Sequence, residues 1–298
     1  MERNFIGYGQ NVPSIHWPGN AQIAISFVVN YEEGSEQSIL DGDIQHESNG
    51  EVPSPVPPNQ RDLFNESFFE YGSRVGVWRL LDILDRYEAK ATFFSCALAM
   101  ERNPEVAQQV VERGHEICGH GYRWEEYHSM DRDSEKESIL KTIKSLTQTC
   151  GGRPLGWFTR YGASVNTREL IAEEGGFIYD SIAFNDDLPY FVSVKDKPWL
   201  VLPYSMETND ARFWRGGLVS TEDFYEYLKD TFDCLYEEGK THPKMMSVGL
   251  HCRISGRPAR SLAVEKFLRY IKTFPKVWIA PRIDIANWWL TNYSELGH

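Results

Sequence analysis

Three separate segments of the sequence carry side chains that could transfer protons or bind a metal. Glu32 and Glu33 are adjacent and follow an apolar run, while His120 stands between two glycines. His251 ends a second apolar run. Carboxylates and imidazoles exchange protons in acid–base catalysis and also bind divalent metals. Each segment has a structural alternative as well, because an acidic pair before glycine is often a solvated turn and a single histidine is often a core residue.

A basic loop follows His251. Arg253, Arg257 and Arg260 lie within eight residues of the chain, which is otherwise acidic. Guanidinium groups donate paired hydrogen bonds to carbonyl and carboxylate oxygens. The loop therefore has two interpretations, a clamp on a substrate or a set of ion pairs at the start of a helix.

The elements that must position these residues alternate between strand and helix character. Apolar runs typical of strands occupy 21–30, 90–98, 115–120, 154–158, 177–181, 199–204, 244–250 and 276–281. Amphipathic runs typical of helices occupy 74–87, 104–114, 134–152, 221–239 and 262–273. A capping box of Ser134 and Glu137 predicts the start of the third helix. This alternation predicts an α/β fold, either a parallel barrel or a doubly wound sheet, with the chemistry at the carboxyl ends of the strands.

Residues 34–70 interrupt this alternation. They separate the first predicted strand from the first predicted helix and include a proline cluster at 51–60. Loops of this length without regular structure are uncommon unless they have a function. We expect either a functional arm, such as a pocket lid or an intersubunit contact, or a surface insertion.

Composition excludes several classes of protein. The 31 Lys and Arg residues against 43 Asp and Glu residues give a formal charge of −12, which disfavours binding to nucleic acid. The longest apolar runs, such as residues 23–29, are too short to span a membrane. The five cysteines contain no C-x-x-C pair, and the first residues lack the features of a signal peptide. We therefore predict a cytoplasmic protein with reduced thiols and without nucleic-acid or membrane partners.

In order along the chain, these motifs resemble those of the polysaccharide deacetylase superfamily, also called the NodB-homology superfamily. Glu32-Glu33-Gly34 occupies the place of an Asp-Asp-Gly motif, and the segment from Gly114 to His120 resembles Gly-His-Glu-Ile-x-x-His. Leu250-His251 resembles the terminal Leu-x-His region. The resemblance implies a distorted, incomplete (β/α) barrel. It also implies one catalytic domain over 1–298, with an N-terminal extension at 1–20 and an insertion at 34–70.

Two departures from the superfamily concern its metal. Metal-dependent deacetylases have a His-x-x-x-His pair, and the position of the second histidine is Trp124 in this chain. The metal carboxylate position is Glu33, which is one methylene longer than aspartate. A cation held by one histidine and one carboxylate would be poorly fixed. We therefore expect no cofactor. If a metal is bound, zinc or another divalent ion on Glu33 and His120 is the expected alternative.

Longer runs resemble one subgroup, which comprises the purine-utilisation allantoinases and the cyclic imide hydrolases. They include FVVNYEEGSE at 27–36, GHEICGHGYRW at 114–124 and GLHCRISGRPAR at 249–260. The resemblance implies a hydrolase that opens the ring of a small cyclic amide, and a homo-oligomer, either a tetramer or a dimer. The segment 159–164 departs from the Thr-Gly-Arg turn of the allantoinases, so the ring substrate stays open between allantoin, another ureide and an imide.

The resemblance also implies roles for individual residues. Glu32, or else Glu33, would be the general base, His251 the general acid, and His120 would orient water or stabilise the oxyanion. The side chains expected to contact the substrate are Arg160 and Arg257, through exocyclic oxygens, and Trp124 and Trp157, as walls for a flat ring. Two other functions are weighed against this one: a metal-dependent N-acetyl-sugar deacetylase and a non-catalytic binding protein.

Overall fold

Nine strands form one sheet in the computed structural model, which describes residues 3–297. The strands are β1 (Ile23–Tyr31), β2 (Ala91–Ser95), β3 (Glu116–Gly119), β4 (Gly156–Trp157), β5 (Tyr179–Asp180), β6 (Tyr190–Val194), β7 (Lys197–Val201), β8 (Lys244–His251) and β9 (Val277–Ile279). Their order is β6-β7-β5-β4-β3-β2-β1-β8, with β9 also paired to β1. All pairs are parallel except the β6–β7 hairpin. The sheet curls into a half-barrel, which confirms the predicted fold class.

Ten α-helices lie in the described part of the chain. They are α1 (Leu63–Tyr71), α2 (Val77–Arg86), α3 (Ala97–Arg102), α4 (Pro104–Glu112), α5 (Arg132–Cys150), α6 (Thr167–Glu174), α7 (Arg212–Arg215), α8 (Thr221–Glu238), α9 (Pro258–Ile271) and α10 (Arg282–Tyr293). Within residues 3–297, no helix is both long enough and apolar enough to cross a membrane.

The first strand is the centre of the fold. All nine residues of β1 are buried, as expected for a parallel strand that is covered on both faces. It pairs with β2 on one side and with β8 and β9 from the end of the chain on the other. In this register Asn30 lies opposite both Phe94 and His251, so the carboxyl ends of these strands meet beside residue 32.

Separate apolar clusters pack on the two faces of the sheet. On the helical side, Phe27 and Val29 pack with helices such as α2, α8 and α9. On the other side, Val28 packs in a cluster that includes the indoles of Trp17 and Trp289. Because alternate β1 residues enter different clusters, both faces are fixed and the register cannot slip by one residue without exchanging them.

The sequence predictions were wrong in detail at several elements. The irregular part of the 34–70 insertion ends earlier than expected, because Asp62 caps α1 by accepting a hydrogen bond from the backbone N–H of Asn65. Helix α5 begins at Arg132, where Asp131 and not Ser134 is the N-cap. The predicted elements also did not include the β6 edge strand or the helices α3, α6, α7 and α10.

One close backbone approach ties the helical layer to the site. A π-helical turn, Gly72–Gly76, joins α1 to α2. A Cβ added at Gly76 would overlap the carbonyl oxygen of Cys252, next to His251, and would also crowd Gly256. Only glycine therefore fits at this contact.

We expect the substitution Gly76→Ala to lower the free energy of unfolding by about 1–3 kcal/mol, because the added methyl must displace the backbone after β8. Urea denaturation of the purified variant measures this change. Gly152→Ala is the matched control, since no atom lies within 4 Å of its added Cβ. Equal midpoints for the two variants would show that the contact at Gly76 is looser than the structure indicates.

Candidate functional site

The predicted chemical residues meet at the carboxyl ends of three strands. Glu32 follows β1, His120 follows β3, and His251 is the last residue of β8. All three are buried or nearly so. The parallel strand order brings them together from positions far apart in the sequence, as the alternation of elements predicted.

The carboxylate of Glu32 is the centre of this group. Its Oε1 lies 3.1 Å from Nε2 of His120 and 3.7 Å from Nε2 of His251. Its Oε2 lies 2.7 Å from a guanidinium nitrogen of Arg253. Each carboxylate oxygen therefore faces a nitrogen-bearing side chain, and the two oxygens have different partners.

Arg253 keeps the buried Glu32 carboxylate ionised. Burial alone would raise the pKa of Glu32, but the charge of Arg253, the charge of His251 and the hydrogen bond from His120 hold it well below its usual range. A carboxylate with such a low pKa carries a permanent negative charge and is a weak proton acceptor.

Aromatic rings surround the Arg253 guanidinium. Its central carbon lies 4.4 Å from the ring centre of Phe69 and 5.0 Å from those of Trp124 and Trp214. A cation placed between aromatic faces is stabilised electrostatically, more strongly when it is desolvated. Because Arg253 is only 1 % exposed, its position depends on these rings and on the two glutamates beside it.

A buried aspartate orients His251. Nδ1 of His251 donates to Oδ1 of Asp210 over 2.6 Å, and the backbone N–H groups of His251 and Ser255 donate to Oδ2. With its proton on Nδ1, the neutral ring presents the lone pair of Nε2 towards Glu32. Burial alone would lower the pKa of His251, but the carboxylates of Asp210 and Glu32 raise it above its ordinary value.

The second glutamate points away from this group. Glu33 accepts hydrogen bonds from the backbone N–H groups of Glu32 and Arg253, and its side chain packs against Gly72. Burial raises the pKa of Glu33. It lies 3.6 Å from Arg253 but forms no contact with His120. The adjacent pair expected to share one site is therefore divided between two faces, as follows from strand alternation.

His120 is fixed by stacking. Its ring lies 5.0 Å from that of Phe158 at an interplanar angle of 28°, and Phe94 packs beside it. Since Nε2 faces the Glu32 carboxylate, that nitrogen carries the proton. Nδ1 is buried and has no hydrogen-bond partner among residues 3–297.

A cavity of about 400 Å³ reaches His251 and Arg253 beside this group. Its lining residues come from five segments and are Ser48, Asn49, Gly50, Glu51, Val52, Pro53, Trp124, Tyr161, Ala211, Trp214, Arg215, His251, Arg253 and Ile254. Six of them belong to the 34–70 insertion, which therefore forms a wall of the cavity of its own chain. A pocket of this size, with a few polar groups at its base, suits a small molecule.

Of the four side chains expected to contact a substrate, only Trp124 lines the cavity. Trp157 is fully buried and packs against Tyr127 and Phe177, so its expected role as a substrate wall was wrong. The large size and apolar surface of tryptophan are used there for core packing.

The two arginines expected to bind substrate oxygens have partners within the protein. Arg160 pairs with Glu47 over 2.7 Å and stacks 3.7 Å above the ring of Trp124. Arg257 lies 3.6 Å above the ring of Tyr71 and does not line the cavity. Both expectations require correction, because Arg160 supports the cavity wall at Trp124 from behind and Arg257 packs on a ring outside the lining.

The two interpretations of the basic loop apply to different residues, since Arg253 lines the cavity and Arg260 forms an ion pair within the protein. Arg260 forms an ion pair with Glu51 of the insertion, and the same carboxylate accepts a hydrogen bond from the indole of Trp214 over 2.7 Å. Arg260 therefore anchors the insertion through Glu51, and Arg253 places a guanidinium at the base of the cavity.

The residues present do not fit a divalent metal. Glu33 and His120, the pair expected to hold one, face different ways. Glu32 is closer to both histidines, but the Arg253 guanidinium already occupies the cationic position at its carboxylate. In residues 3–297, no cluster of three or more His, Cys, Asp or Glu side chains is arranged to hold a metal ion.

Sequence reasoning missed two residues that the geometry makes central. Arg253 was noted only as one of three arginines facing a substrate, and Asp210 was given no role. The signal for Arg253 was its place directly after the His251 motif, together with a carboxylate pair that needs a countercharge. The signal for Asp210 was weaker, since it lies 41 positions before His251 and only the fold brings the two together.

Comparison with known proteins identifies the family of this chain. The family model of polysaccharide deacetylases matches residues 66–179. A putative polysaccharide deacetylase of Schizosaccharomyces pombe is 38% identical over 303 residues, which cover 94% of this chain and 94% of that protein.

Two solved structures are similar over nearly their whole length. A probable polysaccharide deacetylase of Pseudomonas aeruginosa has a TM-score of 0.94 and 49% identity, and covers 98% of this chain and 99% of its own. PuuE allantoinase has a TM-score of 0.94 and 47% identity, and covers 98% of each chain. The chain therefore belongs to the polysaccharide deacetylase family, and its resemblance to the allantoinase-like subgroup is confirmed.

Proposed function

We propose that this protein hydrolyses a C–N bond of a small cyclic amide, a ureide or an imide, and so opens the ring. The observation that carries the proposal is the arrangement at the base of the cavity. There the Asp210–His251 pair faces the ionised Glu32 carboxylate, with Arg253 beside both. PuuE allantoinase, at 47% identity, supports the same class of reaction.

The first step is attack of water on a ring carbonyl. A water molecule held by Glu32 and His251 would donate one hydrogen bond to each, and Nε2 of His251 would take a single proton from it as the water oxygen attacks. The low pKa of Glu32 and the raised pKa of His251 favour this division. We therefore transfer the role of base from Glu32 to His251 and give Glu32 the role of orienting the water.

Arg253 is the donor available to the developing oxyanion. It lines the cavity, and its Nε and one terminal nitrogen have no hydrogen-bond partner among the described residues. Fixed donors aimed at the charge that develops in the transition state supply a large share of enzymatic rate enhancement. His251, once protonated and held by Asp210, then returns its proton to the leaving ring nitrogen.

A deacetylase acting on N-acetyl sugars is the second candidate, since several similar proteins carry that name. An extended sugar chain needs a long groove, whereas residues 48–53 and Trp214 form walls of a cavity of about 400 Å³. Trp124 and the Arg253 ion pair also occupy the surroundings in which a metal would bind. These features favour the cyclic amide. A homo-oligomer stays a prediction from the resemblance.

The catalytic assignment is tested by substituting its two proton-handling groups. We expect Glu32→Gln and His251→Ala each to lower kcat at least roughly 100-fold on the ring substrate, because water is no longer oriented or deprotonated. Carboxylate release from a panel of allantoin, succinimide, glutarimide and dihydrouracil measures the activity and identifies the ring. His242→Ala, at an exposed histidine, is the control. Near-normal turnover in both variants would contradict the catalytic roles assigned to Glu32 and His251.

The pH profile tests the Asp210–His251 pair. A base must begin neutral, so kcat/KM should rise with pH through the raised pKa of His251. Asp210→Asn removes a carboxylate that raises this pKa, so the acid limb should move to lower pH while kcat falls. Initial rates over a pH series measure both quantities. An unmoved acid limb would mean that another group controls it.

Chelation tests whether the activity requires a bound metal ion. Because a guanidinium already neutralises the Glu32 carboxylate, we expect full activity after dialysis against a strong zinc chelator. Elemental analysis of the same sample gives its metal content. Activity that is lost on chelation and restored by zinc would overturn the expectation and favour the deacetylase.

A further inference from the structure

The mouth of the cavity carries an arginine that the proposed reaction does not use. Arg215 is the last residue of α7, is exposed and lines the cavity. Its guanidinium lies 4.7 Å above the ring centre of Tyr161. No carboxylate among residues 3–297 forms an ion pair with it.

The other charged groups of the lining are compensated. Arg253 forms ion pairs with two glutamates at the base. Glu51 binds Arg260, and His251 binds an aspartate. The positive charge of Arg215 is therefore not compensated by a neighbouring carboxylate of the described residues. Arg215 lies on the exposed side of the cavity, whereas the ring would react at the buried His251.

Tyr161 holds this charge in a defined place. It belongs to the segment that departs from the allantoinase turn, and its backbone adopts a φ of 46°, which is uncommon for a bulky residue. Its ring lies between the guanidinium of Arg215 and that of Arg160, which is 5.5 Å away and anchored by Glu47. Stacking on a supported ring orients the Arg215 donors.

The two ends of the cavity differ in exposure, since His251 is buried and Arg215 is exposed. A bare five-membered ring with its carbonyl at His251 would leave much of the 400 Å³ unfilled. We propose that Arg215 selects cyclic amides that carry an oxygen-bearing arm, a ureido or carboxylate group, over the same ring without the arm. This proposal rests on the proposed function and names its substrate class.

Three probes with one ring test it: hydantoin, allantoin, which adds a neutral ureido arm, and hydantoin-5-acetic acid, which adds a carboxylate. For Arg215→Met, we expect kcat/KM on each armed ring to fall roughly 10- to 100-fold, the usual effect of a lost charged hydrogen bond. Hydantoin should react at the wild-type rate. Arg215→Lys should retain more activity on the carboxylate arm than on the ureido arm, since lysine is a point charge without a planar fork.

Arg212→Met is the matched control. It lies on the same short helix, but its side chain stacks 4.2 Å above Tyr227 and does not line the cavity. Its ratio of allantoin to hydantoin activity should equal that of the wild type. Thermal denaturation of both methionine variants checks that the fold is retained.

The possible results separate the two proposals. A wild-type protein that opens none of the three rings, nor any ring of the wider panel, overturns the proposed function and this inference together. A wild-type protein that opens rings, with a ratio of armed to unarmed activity that Arg215→Met leaves unchanged, overturns the role of Arg215 alone. A selective loss on the armed rings supports it.

Discussion

The arrangement of this protein depends on the compensation of one buried charge. Glu32 lies at the end of the central strand, where its carboxylate is removed from bulk solvent. An isolated ion at such a depth costs many kcal/mol, so it needs a countercharge within contact distance. Arg253 supplies it and is itself enclosed by rings from the helical layer, from the segment after β3 and from α7. The ion pair and these rings therefore bring five distant parts of the chain together.

This ion pair also determines what chemistry the site can do. A permanent cation, the guanidinium of Arg253, stands beside the Glu32 carboxylate. The carboxylate is consequently held ionised and is a poor base. In the mechanism that we propose, proton transfer therefore falls to His251, which Asp210 orients and whose pKa the carboxylates of Asp210 and Glu32 raise above its ordinary value.

The insertion completes the site from within the same chain. Residues 48–53 line the cavity, while Glu47 and Glu51 bind arginines that lie behind its walls. The loop is held by these two ion pairs, by the pairs of Asp41 with Arg102 and of Asp43 with Arg123, and by the capped helix at its end. A cavity of about 400 Å³ limits the size of what can react, which is why the geometry favours a small ring over a polymer.

The sequence by itself determined the alternation of strands and helices, the family resemblance, and the meeting of Glu32, His120 and His251 at strand ends. These follow from local patterns, since hydrophobic periodicity marks each element and parallel strands align their carboxyl ends. Only the tertiary structure decided which side chains face the cavity. Trp157 and Arg160 looked like substrate contacts by type and proximity, but packing and the ion pair with Glu47 turned them inward. Arg160 and Glu47 lie 113 positions apart, so local sequence patterns do not indicate their contact.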